Sequence, residues 1–196
     1  MAVARAALGA SYDEVVFLPV ALSPHKLDRP PAAAADRFAM CVLATLAEPR
    51  FFVSRFELEK PPPSYSVDTA QHFHAERPDA GFWWAIGADN LRALLTWLRL
   101  EDFVRVARFL VVPRGGVSGA ALQEAIAGLP AWLRGALDVL DMPVVNVSST
   151  QVRDRVRAGL EPAGLVPDDV ARFISRYGLY RATPVWQTGS AQKGAT

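Results

Sequence analysis

Apolar residues in this chain follow two rhythms that alternate along its length. Short continuous runs read as buried strands of a parallel sheet: Val15-Val16-Phe17-Leu18, Phe82-Trp83-Trp84-Ala85-Ile86, and Phe109-Leu110-Val111-Val112. Gly87 and Pro113 stop the last two, and Pro143-Val144-Val145 reads as one more short strand. Residues 51–59 alternate, with Phe52, Ser54, Phe56 and Leu58 against Val53, Arg55 and Glu57. That pattern predicts a strand nearer an edge, ended by Pro61-Pro62-Pro63.

Between these runs the spacing is helical. Residues 1–8 are helix-forming in composition, and Phe38, Val42 and Leu46 recur by four within residues 32–46. Further helices are predicted over residues 66–77 with Ser66 as cap, just after Asp89, over 101–107, and over 120–137 with a break at Gly128-Leu129-Pro130. The last helix has the fullest signals. Pro167 sits at its first turn, Asp168 and Asp169 at its positive end, Arg172 and Arg176 toward its negative end, and Gly178 after it. Strands alternating with helices predict an α/β domain with a mainly parallel sheet over residues 1–181, and a flexible tail over 182–196.

Composition narrows the class. A chain of 196 residues that is 51% hydrophobic can bury one sizeable core. A formal charge of +1 argues against a duplex nucleic-acid binder or a polybasic membrane anchor. No apolar run reaches the roughly 18–20 residues that span a bilayer. The single cysteine, Cys41, cannot form an internal disulfide, and a cytoplasmic location is the expectation.

The stretch richest in candidate chemistry is Asn146-Val147-Ser148-Ser149-Thr150-Gln151-Val152-Arg153, where an apolar run gives way to a helix. A helix start carries about half a positive charge and free backbone donors, so Ser148, Ser149 and Thr150 suit a phosphate. Arg153 leans back toward the same end and can fork onto the same anion. The plain alternative is an N-cap at Ser148 with a solvated Arg153.

Other polar candidates follow strands. Pro24-His25-Lys26 can place a point charge on phosphate, or be an ordinary surface loop. Ser64-Tyr65-Ser66-Val67-Asp68-Thr69 opens a helix whose donors suit a carboxylate, or is simply a cap. Gly87 permits close approach of a ligand, Asp89 can accept from ribose hydroxyls, and the Trp97 indole can stack on a flat ring; a helix cap and core packing are the alternatives. Arg114-Gly115-Gly116 is a phosphate neighbour or a turn. His72 and His74 lack metal-ligand spacing and read as surface residues.

Taken together these segments resemble the nicotinate-nucleotide adenylyltransferases. Ser148-Ser149-Thr150-Gln151-Val152-Arg153 is similar to the (I/V)-S-(S/T)-T-x-(I/V)-R signature of adenylyl- and cytidylyltransferases. Pro19 through Pro24-His25-Lys26 resembles the family's P-x-x-x-(P/S)-P-H-K loop. The segment from Ser64 to Thr69 resembles S-Y-T-x-D-T with Ser66 for the usual Thr, and Gly87-Ala88-Asp89 with Thr96-Trp97 resembles G-x-D followed by T-W.

The resemblance implies a Rossmann-like nucleotidylyltransferase fold and adenylyl transfer from ATP to nicotinate mononucleotide, with Mg2+ on the ATP phosphates. It implies that Lys26, Ser148, Ser149, Thr150 and Arg153 hold phosphates, that Lys26 and Arg153 are catalytic, and that Gly87 lies against ATP. His25, Lys26, Tyr65, Ser66, Asp89 and Trp97 would hold the nicotinate nucleotide. A homo-oligomer is compatible with it; nucleic-acid and membrane partners are not expected.

One family segment has no counterpart here: the opening strand and G-G-(T/S)-F-D-P-x-H-x-G-H run. In the family that strand lies mid-sheet, so the expectation is an N-terminally incomplete domain whose first central strand is missing, with two neighbouring strands unpaired or forced together. Two other readings remain: a phosphopantetheine adenylyltransferase-like enzyme, which leaves the Ser64–Thr69 segment and Trp97 unexplained, and a catalytically impaired nucleotide-binding protein.

Overall fold

Every paired strand among the described residues runs parallel to its neighbour, yet the strands form two sheets rather than one. The computed structural model describes residues 1–20, 32–61, 63–145 and 147–181. It comprises two compact units, Met1–Asn146 and Val147–Thr196.

In the first unit, β1 (Val15–Phe17) pairs with β2 (Phe51–Val53) in the register Val15 to Phe51. The second sheet has the order β3 (Trp83–Gly87), β4 (Arg108–Val112), β5 (Leu137–Val139). The middle strand explains its own sequence. Phe109 and Val111 are fully buried on one face, where Leu91, Leu94, Phe103 and Leu133 gather; Leu110 and Val112 face Ala7 and Leu140 on the other. A strand covered on both sides has no place for alternation, hence the unbroken apolar run.

Helices supply the cover. α1 (Ala2–Gly9) packs Ala4, Ala7 and Leu8 inward. α2 (Ala34–Thr45), α3 (Phe56–Glu59) and α4 (Ser66–Glu76) follow, then a 3-10 helix over Ala88–Thr96 whose Leu91 and Leu94 enter the core. α5 (Leu100–Val106) brings Phe103 face to face with Phe109, ring centres 4.6 Å apart. α6 (Gly119–Ala127) and α7 (Ala131–Arg134) precede β5. In the second unit, α8 (Ser149–Arg157) buries Val152 and Val156, and α9 (Asp168–Arg176) buries Val170, Ala171 and Ile174. Gly159 and Gly178 follow these helices at φ 77 and 61, where Leu160 N–H and Leu179 N–H donate back to Arg155 and Ile174 carbonyls. No helix among the described residues is long and apolar enough to cross a membrane.

Two expectations are corrected. No strand forms at 143–145; the observed one is Leu137–Val139, which begins at the last residue of the stretch expected to be helical. Its central Asp138 hides it from an apolar count, but the carboxylate is fully engaged: Arg108 donates at 2.8 and 3.1 Å and Trp83 Nε1 at 2.7 Å. The strand expected over 51–59 stops at Val53. There the Ser54 hydroxyl accepts from Phe56 N–H at 3.1 Å and starts a helical turn, which carries Glu57 into the interior.

The two sheets leave a gap. β1 and β3 share no hydrogen bonds, and a cavity of about 1570 Å³ opens between them, lined by Val15, Val16 and Phe17 on one side and Trp83, Trp84 and Ala85 on the other. Val15 N–H donates to Arg50 O and Phe17 O accepts from Ser54 N–H, so the polar groups of Val16 face the gap. By the same alternation, the Arg108 N–H to Phe82 O bond leaves Trp83 and Ala85 facing it from the other side. Among the described residues, Val16 of β1 and Trp83 and Ala85 of β3 thus have no ladder partner across the gap.

The core makes a direct prediction. Phe103→Ala removes the ring stacked on Phe109 at a site only 1% exposed. It should cost about 3–5 kcal/mol of unfolding free energy, read from urea titrations.

Candidate active site

The start of α4 carries backbone donors that no side chain caps. Tyr65 occupies the cap position in extended backbone (φ −100, ψ 135), and no side chain caps the helix. Ser66 is therefore the first helical residue rather than the cap, because Tyr65 keeps the extended conformation and its carbonyl accepts from Asp68 and Thr69 N–H. No described residue accepts from the Ser66 or Val67 N–H. Those donors, with the helix dipole, suit a carboxylate.

The same turn is anchored from beneath. Glu57 is 2% exposed and its Oε1 accepts from the fully buried Thr69 hydroxyl at 2.7 Å. Its Oε2 has no hydrogen-bond partner among the described residues. Burial pushes the Glu57 carboxyl above the usual glutamate value, while the Thr69 hydroxyl and Lys60 pull it the other way. Asp68, in the first turn, bridges Lys60 Nζ at 3.2 Å and the Arg99 guanidinium. Because Arg99 lies two residues after Trp97, this bond ties the Trp97 loop to the start of α4. The Trp97 ring is half-buried, edge-on to Phe103 and Phe109 at 6.0 and 5.6 Å.

A second cluster forms at the carboxyl ends of β3 and β4. A methyl group on Gly87 would lie 2.2 Å from Asp89 Oδ1 and 3.1 Å from Arg114 Cδ. One on Gly115 would lie 2.9 Å from Asp89 Cβ. Asp89 is thus slotted between two glycines, exposed, with its carboxylate beside the strand end. Arg114-Gly115-Gly116 is a turn, closed by a bridge between Arg114 and Val117.

In the second unit, Ser148 is the N-cap of α8 in a full capping box: its hydroxyl accepts from Gln151 N–H at 3.2 Å and Gln151 Oε1 accepts from Ser148 N–H at 2.7 Å. The Ser148 hydroxyl is thus engaged by the helix itself, as the plain reading holds. Ser149 and Thr150 are exposed. Arg153 folds back as helix geometry requires, its guanidinium donating to Thr150 Oγ1 at 3.3 Å. Thr150 and Arg153 therefore share one face at the helix start. His25 and Lys26 lie outside the described residues.

Sequence reasoning missed Glu57, Lys60 and Arg99. Glu57 was placed on a strand, and nothing local marks the other two. His72 stacks on Phe56 at 3.8 Å and pairs with Glu76, a surface arrangement.

A parallel α/β scaffold with an open helix start at α4 suits the binding of anionic ligands, and comparison with known proteins shows the family. The chain belongs to the cytidylyltransferase-like family, whose model matches residues 1–155. Its relatives narrow this to nicotinate-nucleotide adenylyltransferases. A Streptomyces coelicolor protein named "probable nicotinate-nucleotide adenylyltransferase" is 40% identical over 169 residues, 86% of each chain. One of the same name from Leifsonia xyli subsp. xyli is 38% identical over 170 residues, 87% of this chain and 80% of that one. The fold matches the solved nicotinic acid mononucleotide adenylyltransferase of Plasmodium falciparum, complexed with NaAD. That match has a TM-score of 0.66 at 15% identity and covers 86% of this chain and 82% of that one.

Buried Glu57 gives a pH prediction. Its raised value means the folded state favours the protonated carboxyl, so this contribution is full below the ordinary glutamate value and is lost as pH rises through the raised one. The difference in Tm between the unchanged protein and Glu57→Gln should therefore fall as pH goes from acid to neutral. A difference that stays flat across that range contradicts the assignment.

Proposed function

We propose that this chain transfers the adenylyl group of ATP to nicotinate mononucleotide, giving nicotinate adenine dinucleotide and pyrophosphate in NAD synthesis. The observation that carries the reading is the uncapped start of α4 with the Trp97 loop tied to it: donors for a carboxylate next to an indole for a flat ring. A pyridine carboxylate has both features. The extent of identity to the adenylyltransferases named above supports the rest.

In the reaction an oxygen of the mononucleotide phosphate attacks the α-phosphorus of ATP. The bond from that phosphorus to the bridging oxygen breaks, and pyrophosphate carries the electron pair away. No protein nucleophile is needed; the work is positioning and charge stabilisation. Mg2+ enters as part of the MgATP substrate. Tyr65 and Ser66 hold the ring carboxylate, Trp97 covers the ring, and Asp89 accepts from ribose. Gly87 admits ATP closely. Ser149, Thr150 and Arg153 bind phosphate, Ser148 sets the helix start that presents them, and His25 and Lys26 hold the nicotinate mononucleotide, Lys26 also acting on phosphate.

The gap between β1 and β3 supports the further expectation that one more extended strand belongs between them. Its two edges carry backbone groups without ladder partners, each pair worth roughly 1 kcal/mol once bonded.

Mixing the protein with MgATP and nicotinate mononucleotide should release pyrophosphate and form the dinucleotide; ATP binding without product would leave a nucleotide-binding protein. Arg153→Lys keeps the charge but loses the fork, and should lower kcat/KM for ATP roughly tenfold with Tm unchanged. Unaltered kinetics would return Arg153 to a solvated helix residue.

A further inference from the structure

Lys60, Asp68 and Arg99 form a charge cluster that the fold hardly needs. Lys60 approaches one Asp68 oxygen at 3.2 Å, and Arg99 bonds the other. The Asp68 side chain is 35% exposed and that of Arg99 44%, and a pair so exposed contributes only about 0–1 kcal/mol. Yet Arg99 adopts φ 50, a left-handed conformation that non-glycine residues take at a cost. A weak ion pair does not account for a strained backbone placed to make it.

The location does. Asp68 is the third residue of α4, Lys60 closes α3, and Arg99 is the residue that leads from Trp97 into α5. Three elements thus bring their charges to the turn whose Ser66 and Val67 donors face no acceptor. Asp68 alone would neutralise the positive end of the helix dipole and repel an incoming carboxylate. With two cations against one carboxylate, the local sum goes from −1 to +1. Asp68 also holds the cations in place, Lys60 with its ammonium 5.7 Å from the centre of the Phe56 ring.

We infer that Lys60 and Arg99 are specificity-determining residues that make the start of α4 select a mononucleotide with an anionic ring substituent over its neutral amide. The inference rests on the reading of α4 given above. Backbone donors alone bind either group in part, since an amide also offers a carbonyl oxygen. The cations act only on charge, so they separate the two ligands.

The test is equilibrium binding, independent of turnover. Dissociation constants for nicotinate mononucleotide and nicotinamide mononucleotide are measured by calorimetry on the full chain and on Arg99→Gln, Lys60→Gln and Arg99→Lys. Each glutamine variant should weaken the acid about three- to tenfold while leaving the amide within about twofold, and Arg99→Lys should keep the unchanged protein's ratio. A purely structural role would weaken both ligands together. If Arg99→Gln leaves the acid-to-amide ratio intact, or lowers both affinities equally, the inference is overturned. An unchanged protein that binds acid and amide equally overturns instead the reading of α4 itself.

Discussion

Backbone N–H groups at the start of a helix have no partner within it, and this constraint organises the candidate sites of both units. The two relevant helices answer it differently. α8 engages its own donors through the Ser148–Gln151 capping box, which fixes where the helix begins and leaves Thr150 and Arg153 together on its exposed face. α4 leaves its first donors open and surrounds them instead with Tyr65, the Trp97 loop and a set of opposed charges. A closed start makes a rigid platform; an open one makes a receptor. Nicotinate mononucleotide has a phosphate and a ring carboxylate, and ATP has phosphates alone, so a reaction joining them has use for both kinds.

What positions the open start is buried rather than exposed. Thr69 and Glu57 are bonded in the interior, which links the first turn of α4 to the α3 turn. A carboxylate buried with one oxygen unpartnered is costly, and burial accordingly raises its affinity for a proton. The fold tolerates this beneath the turn proposed to meet the ligand, in keeping with the rule that local conflicts concentrate near function.

The elements with strong local signals were legible in the sequence. β3 and β4 are apolar runs with clear stops, and α9 carries proline, acidic and glycine marks at its ends. β5 was not, since three residues with Asp138 in the middle show no period, and its partners Arg108 and Trp83 are remote in sequence. The segment over 51–59 alternates by chance, and the Ser54 turn overrides the pattern. Of the proposed site, Tyr65, Ser66, Asp89 and Trp97 stand out through motifs, and Arg153 through helix geometry. Lys60 and Arg99 were not, because their meaning depends on Asp68 lying between them, which only the packing of α3, α4 and the Trp97 loop creates.

The central claim is that the unspent donors at the start of α4 receive the ring carboxylate of the mononucleotide. Amide 1H–15N NMR during titration with nicotinate mononucleotide observes those donors one by one. The account predicts that Ser66 and Val67 resonances move downfield as they gain an anionic acceptor, with far smaller movement when the amide mononucleotide is added instead. Saturating ligand that leaves both resonances in place would contradict it.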